Sequence, residues 1–143
     1  MLSVQVPKGV FVALARVLIA DDHAGFLAEL RQELSEEFEI VGTAGDGVQA
    51  VAAVLRLDPD VLVTDISMPN LDGLQAAARL RDANCRTRVI FLTIHEQPEY
   101  VSAAFSNGAS GYVTKRRLSS DLVLAVQTVL GGETFVSPTL QRS

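Results

Sequence analysis

Short apolar runs alternate along this chain with longer stretches in which apolar residues recur every three or four positions. Five runs read as strands: residues 17–20, 39–44, 61–65, 89–93 and 111–114. Three of them hold unbroken apolar blocks, Val17-Leu18-Ile19, Val61-Leu62-Val63 and Val89-Ile90-Phe91-Leu92. Strands covered by helices on both faces have this composition, so the pattern predicts a parallel sheet.

The stretches between the strands read as helices. Residues 24–37 place Phe26, Leu27, Leu30 and Leu34 on one face, with Glu29, Glu33, Glu36 and Glu37 free for the wet one. Asp46-Gly47-Val48-Gln49 and Asp72-Gly73-Leu74-Gln75 each have the D-x-x-Q form of a capping box and predict two further helix starts. Pro98 suits the first turn of a fourth helix that Asn107-Gly108 ends. Ser119-Ser120-Asp121 predicts the start of a fifth, with Leu122, Val123, Val126, Val129 and Leu130 apolar and Gly131-Gly132 closing it. The result is an α/β chain of (βα)5 order with right-handed crossovers. Residues 131–143 show no element of their own, and 132–143 read as the start of a linker.

Composition narrows the picture. The 143 residues suit one domain, and 48% apolar residues can fill its core. A net charge of -5 argues against gripping nucleic acid by its overall field. The lone thiol, Cys85, can form no internal disulfide and suits a reducing compartment. The apolar stretch 10–20 is interrupted by Arg16 and is too short to cross a membrane. Lys8 precedes it as in a signal peptide, but Asp21-Asp22 follows instead of a small-residue cleavage site. Residues 16–20 therefore read as a strand and 1–15 as a leader. Apart from Lys8, all cationic side chains are Arg except Lys115.

The chemistry sits where strands end. The first ends in Asp21-Asp22, the third in Asp65, the fourth in Thr93, and the fifth leads into Lys115. Ligands of open parallel sheets bind at this edge, where the winding direction reverses. An Asp after a strand is commonly a helix cap or turn former, a reading that suffices for Asp46 and Asp72. It fits Asp21 and Asp22 less well, since one cap needs one carboxylate, and Asp65 least, since it ends a central run. Three converging carboxylates repel unless a cation offsets them. All-oxygen ligation without a His or Cys set points to Mg²⁺. With Lys115 as a second positive charge and Thr93 as a hydroxyl donor, the set describes a phosphoryl site with Asp65 as nucleophile.

Ala20-Asp21-Asp22-His23, Val63-Thr64-Asp65-Ile66-Ser67-Met68-Pro69 with Asp72-Gly73-Leu74, Leu92-Thr93, and Gly108-Ala109-Ser110-Gly111-Tyr112-Val113-Thr114-Lys115 resemble the receiver domain of two-component response regulators. The resemblance covers about residues 16–131. It implies a flavodoxin-like fold of strand order 2-1-3-4-5. It implies that Asp65 takes a phosphoryl group from a phosphohistidine on a sensor histidine kinase. Asp21, Asp22, Asp65 and the backbone carbonyl of Ser67 would hold Mg²⁺, and Thr93 and Lys115 would contact phosphoryl oxygens. Thr93 would move toward the phosphoryl group while Tyr112 turns inward; an ordinary half-buried strand aromatic is the competing reading for Tyr112. Ser67 and His95 occupy the positions that tune dephosphorylation, although His95 also reads as a surface histidine in a loop. His23 would start the first helix. Arg116 stands where the family often has Pro, which leaves the Lys115–Arg116 bond open between cis and trans. Ile94 stands where a small residue is frequent and would narrow access to Asp65.

Ile19-Ala20-Asp21-Asp22-His23, Thr93-Ile94-His95-Glu96 and Gly131-Gly132-Glu133-Thr134-Phe135-Val136-Ser137-Pro138 further resemble receivers of the LuxR/NarL type. That implies a cytoplasmic bacterial regulator with a helix-turn-helix output outside this chain. DNA would be bound through that output alone, and no membrane is expected. The chain would be no enzyme beyond its own phosphorylation and dephosphorylation. Homodimerisation on phosphorylation, through the first and fifth helices or around the fourth, is implied as well. Three other readings stand beside this one. A flavin-binding module would need a hydroxyl- and amide-rich loop where Asp21-Asp22 stands. An aspartyl phosphatase of the haloacid-dehalogenase kind would need a second Asp where Ser67 stands. A stand-alone receiver signalling by protein contacts fits the same residues.

Overall fold

A computed structural model describes residues 13–140. Most of the expected leader, residues 1–12, and the last three residues of the expected linker lie outside the described residues. The elements run β1 (Arg16–Ala20), α1 (Ala24–Leu34), β2 (Glu39–Ala44), α2 (Gly47–Leu57), β3 (Val61–Thr64), α3 (Gly73–Asp82), β4 (Arg88–Thr93), α4 (Pro98–Ser106), β5 (Gly111–Thr114), α5 (Leu118–Leu130) and β6 (Phe135–Val136). All neighbouring strands pair in parallel, in the order β2-β1-β3-β4-β5-β6. The first five strands stand in the expected flavodoxin-like order.

The strand side chains alternate between two cores. Val17, Ile19, Val61, Val63, Ile90, Leu92 and Val113 pack against Leu30 and Leu34 of α1 and Leu122, Val126 and Val129 of α5. Leu18, Leu62, Val89, Phe91 and Tyr112 face α2, α3 and α4 through Ala53, Val54, Ala77, Leu80 and Ala104. The central strand β3 is buried along its whole length, which is why its sequence is an unbroken apolar run. Each fully buried Val, Leu or Ile contributes on the order of 1.5–3 kcal/mol, so the two-sided sheet forms a stiff frame for the loops at its edge.

Three expectations are corrected. The described part of the segment after α5, residues 131–140, does carry structure: Phe135 and Val136 add a sixth strand beside β5, and Pro138–Leu140 forms a 3-10 turn. The open edge of β5 has donors and acceptors to satisfy, and two residues suffice to cover part of it. Second, α1 ends at Leu34 rather than near residue 37. The chain turns there so that Phe38, only 5% exposed, can enter the core. Third, Ser119-Ser120-Asp121 does not cap α5. The chain leaves β5 through a 3-10 turn at Lys115–Arg117, α5 begins at Leu118, and the Asp121 side chain is buried.

Of the two predicted capping boxes, one forms completely and the other in part. Asp72 and Gln75 form a complete capping box on α3. Asp46 accepts from the Gln49 backbone N–H at 2.7 Å, but the Gln49 amide turns to the Gly45 N–H instead of completing the box. Asn70 donates to the other Asp46 oxygen at 2.7 Å and ties the β3–α3 loop to α2. The hydrogen bond from the Gln49 N–H, with that from Asn70, holds the Asp46 carboxyl below its ordinary value.

Gly73 governs how α3 meets the sheet. Its N–H donates to the Ile66 carbonyl at 2.7 Å, and a Cβ there would run into the Asp65 carbonyl oxygen and the Phe91 ring. Gly73→Ala is therefore expected to destabilise the protein by about 1–3 kcal/mol, the range for overpacking a filled core. Urea unfolding measures this; an unchanged midpoint would mean the loop accommodates the methyl freely.

Candidate functional site

The carboxyl ends of β1, β3, β4 and β5 converge on one cleft of about 430 Å³, lined by Asp22, His23, Phe26, Asp65, Ser67, Ile94, His95 and Lys115. The pairing of β1 with β3 runs from Val17↔Val61 to Ala20↔Thr64, so Asp21 and Asp65 leave adjacent strands at the same level. The direction of winding reverses between these strands, the location where open sheets form ligand sites.

Asp21, Asp22 and Asp65 present carboxylate oxygens that lie within 4.8 Å of one another. Asp21 is 1% exposed and Asp65 8%, whereas Asp22 faces solvent. The Lys115 ammonium donates to Asp21 Oδ2 at 2.8 Å and to Asp65 Oδ2 at 2.9 Å. The opposite oxygens are fixed by the main chain: the His23 N–H donates to Asp21 Oδ1, and the Ile66 N–H donates to Asp65 Oδ1 at 2.7 Å. Lys115 also lies over the Phe26 ring, 4.2 Å from its centre. Burial works against the ammonium, but its hydrogen bonds to Asp21 and Asp65, with their charges, prevail and hold its pKa above the ordinary lysine value. Three carboxylates balanced by one ammonium leave a net negative, all-oxygen pocket, a donor set that fits a hard divalent cation.

His95 joins the other residues. Its ring lies 2.9 Å from the Ser67 hydroxyl and stacks on Tyr100, with ring centres 4.1 Å apart and planes 8° from parallel. Its N–H donates to Thr93 Oγ1 at 3.3 Å, and its carbonyl accepts from the Tyr112 hydroxyl at 2.8 Å. Thr93 and Tyr112 are both 0% exposed. Tyr112 is thus a fully buried aromatic with an anchored hydroxyl, not the half-buried one of its competing reading. His95 is no free surface histidine, since Ser67, Thr93, Tyr100 and Tyr112 all engage it. His23 stands at the N-cap of α1, as expected, without a side-chain cap bond. Ile94 is 72% exposed at the mouth of the cleft. The Lys115–Arg116 bond is trans. Arg116 makes a two-pronged ion pair with Glu96, at 2.6 and 3.0 Å, which joins the loops after β4 and β5.

Sequence reasoning missed Phe26 and the Glu96–Arg116 pair. Phe26 sits three residues past His23 and reads as helix core; its nearness to Lys115 depends on where α1 docks. The ion pair spans two loops, and no periodic signal marks it. The departure from Pro at position 116 is the only hint.

Burial pushes the Tyr112 phenol well above its ordinary value, with further upward contributions from Tyr100, Asp65 and Glu96. Folding therefore favours the protonated phenol. This stability is fully present below pH 10.0, the ordinary phenol value, and is lost as the pH rises above it. Tyr112→Phe is expected to remove that part of the alkaline loss of stability, at a cost of about 0.5–1.5 kcal/mol near neutral pH for the hydrogen bond to His95. Unfolding curves across the alkaline range test it; the same alkaline slope in both proteins would clear Tyr112 as the source.

Comparison with known proteins converges on one family. Residues 17–127 match the model of the response regulator receiver domain. The oxygen regulatory protein NreC of Staphylococcus aureus is 39% identical over 133 residues, which are 90% of this chain. The chain spans 60% of the length of that curated relative. The signal receiver domain of a Mycobacterium tuberculosis response regulator designated NarL is 33% identical with a TM-score of 0.82, covering 85% of this chain and all of that one. A LuxR-family two-component response regulator from Aurantimonas is 29% identical with a TM-score of 0.86, covering 90% of this chain and 93% of that one. Asp21, Asp22, Asp65 and Lys115, which converge at the switch point of the sheet, all lie within the matched span. The chain belongs to the response regulator receiver domain family, the phosphoacceptor domains of two-component signalling, with LuxR-type regulators among its relatives.

Proposed function

We propose that Asp65 is the phosphoacceptor, charged by a phosphohistidine of a sensor histidine kinase in a Mg²⁺-dependent reaction. The observation that carries this reading is the Lys115 ammonium bridging Asp21 and Asp65 at 2.8 and 2.9 Å at the bottom of an open cleft. Asp21, Asp22, Asp65 and the Ser67 carbonyl would hold the Mg²⁺. The bound ion would offset charge on the phosphoryl oxygens and the carboxylates.

The chain's own groups do the rest. The Asp65 carboxylate bonds to phosphorus as the P–N bond to the donor imidazole breaks and its electron pair leaves on nitrogen. The main-chain N–H of Ile66 holds one Asp65 oxygen in place, so the carboxylate is aimed before the donor arrives. Lys115 turns from the carboxylates to a phosphoryl oxygen and keeps its charge in the dry part of the cleft. The Thr93 hydroxyl, which accepts from the His95 main-chain N–H, donates its own proton to a second phosphoryl oxygen, and its movement toward that oxygen draws on the His95 contact. Since the Tyr112 hydroxyl hangs on the carbonyl of that same histidine, Tyr112 registers the change. Ser67 and His95, hydrogen-bonded at the cleft wall, govern how readily water reaches the phosphoryl group and so tune its loss. The chain's chemistry is confined to its own aspartate.

The phosphorylated receiver then acts through homodimerisation, on the α1–α5 face or around α4, and through a helix-turn-helix output in the parent protein. The LuxR family to which the Aurantimonas relative belongs supports that output. DNA contact belongs to the output and not to this acidic piece. No helix among the described residues is long and apolar enough to cross a membrane. A cytoplasmic setting follows from the proposed kinase partner.

Incubation with acetyl phosphate and Mg²⁺, followed by intact-mass measurement, is expected to add one phosphoryl group to the wild type and none to Asp65→Asn. Chelating the metal should abolish the gain. A wild type that stays unmodified, or an Asp65→Asn chain that gains the group equally, overturns the mechanism. Lys115→Arg keeps the charge but exchanges a compact ammonium for a planar fork. It is expected to lower the phosphorylation rate by on the order of 10-fold or more; an unchanged rate would show that any cation suffices there.

A further inference from the structure

The C-terminal strand is fastened at a particular point of the sheet. After α5 the chain turns through Gly132, whose φ of +89° suits glycine, and runs back along β5. The Phe135 N–H donates to the Ser110 carbonyl at 3.1 Å and the Ser137 N–H to the Tyr112 carbonyl at 2.9 Å. Ser137 itself is 0% exposed. Its hydroxyl accepts from the Thr114 N–H at 3.2 Å and donates to Asp121 Oδ2 at 2.8 Å. Asp121, 3% exposed, is also gripped by both prongs of Arg117, at 2.9 and 3.1 Å.

These contacts bracket Lys115. The residue before it, Thr114, is held through its N–H by Ser137. The residue two after it, Arg117, is held through its guanidinium by Asp121. The two anchors are themselves joined by the Ser137–Asp121 hydrogen bond. A buried carboxylate is costly unless its partners are complete, so this cluster favours one geometry strongly. The backbone that presents the ammonium to Asp21 and Asp65 is thereby pinned from the outer edge of the sheet.

We infer that Ser137 is a positioning residue for Lys115, so that the C-terminal strand β6 bears directly on phosphorylation at Asp65. The inference rests on the phosphoacceptor reading above. It goes beyond it in assigning a part to residues outside the matched span of 17–127. A merely structural Ser137 would stabilise α5 and β6 without changing the chemistry of the folded protein.

The test is a double-mutant cycle on the full chain, with acetyl phosphate and Mg²⁺ as the probe. Rates are read where urea unfolding shows every variant folded. Ser137→Ala is expected to slow phosphorylation by roughly three- to tenfold, the range for one lost buried hydrogen bond. Ser137→Cys keeps the packing with a much weaker donor and should show the same direction of change if the alanine variant folds poorly. Ser137→Thr keeps the hydroxyl and should restore the wild-type rate. In a Lys115→Ala background, Ser137→Ala should bring no further loss, because the residue acts through Lys115. Leu34→Ala, a destabilising core change at the last residue of α1 that touches none of the hydrogen bonds around Ser137, should leave the rate of the folded protein unchanged. A wild-type rate for Ser137→Ala and Ser137→Cys overturns the inference, and so does an equal loss with and without Lys115. Both results leave the phosphoacceptor reading standing. Phosphorylation of Asp65→Asn at the wild-type rate overturns that reading and this inference together.

Discussion

Three carboxylates share the rim of this sheet with one ammonium, and the rest of the structure keeps that arrangement from relaxing. Left to themselves, Asp21 and Asp65 would swing apart into water. They cannot, because β3 is paired with β1 along its whole length and the second oxygen of each carboxylate is tied to main-chain N–H groups. Lys115 reaches across from β5 and offsets part of the repulsion at 2.8 and 2.9 Å. Bringing charges together in a partly dry place is unfavourable in itself, and the stiff, doubly covered sheet makes it tolerable. The frame and the site are therefore one problem: apolar runs on both faces hold the strands, and the strands hold charges nearer than they would choose to be.

Above that rim, a single residue gathers the connections. His95 meets Thr93 through its N–H, Tyr112 through its carbonyl, and Ser67 and Tyr100 through its ring. Thr93 and Tyr112 are therefore both bonded to the main chain of one residue, and the proposed switch needs no extended pathway between them. Small changes at such a junction favour one arrangement or another rather than a gradual drift. The Glu96–Arg116 pair fastens this loop to the one that follows β5. Both partners are partly exposed, so the fastening responds to salt.

Much of this was legible in the residues. The unbroken apolar run Val61-Leu62-Val63 announces a central parallel strand, because a strand covered on both faces has no wet side on which to place polar residues. Asp65 stands out because it ends such a run. The capping residues Asp46 and Asp72 are readable because their hydrogen bonds are local. What was not legible depends on how elements dock. Phe26 reads as one more apolar position of a helix, and only the seating of α1 brings it over Lys115. Asp121 reads as a helix start, yet it turns inward because Arg117 and Ser137 arrive to meet it. Phe135 and Val136 are too short a run to announce a strand, and they become one because β5 offers them an edge.

The direction of that last strand carries a geometric consequence. Because β6 is parallel to β5, it advances toward the same rim that bears the carboxylates, not toward the opposite end of the sheet. The polypeptide accordingly quits the sheet beside the carboxylate-bearing edge, at Ser137, with the 3-10 turn of Pro138–Leu140 as its first step outward and Leu140 resting on the α2–α4 side of the core. An antiparallel return would have delivered the chain a full strand's length away. The place where the described chain leaves the sheet is thus set by strand polarity, beside the turn that carries Lys115.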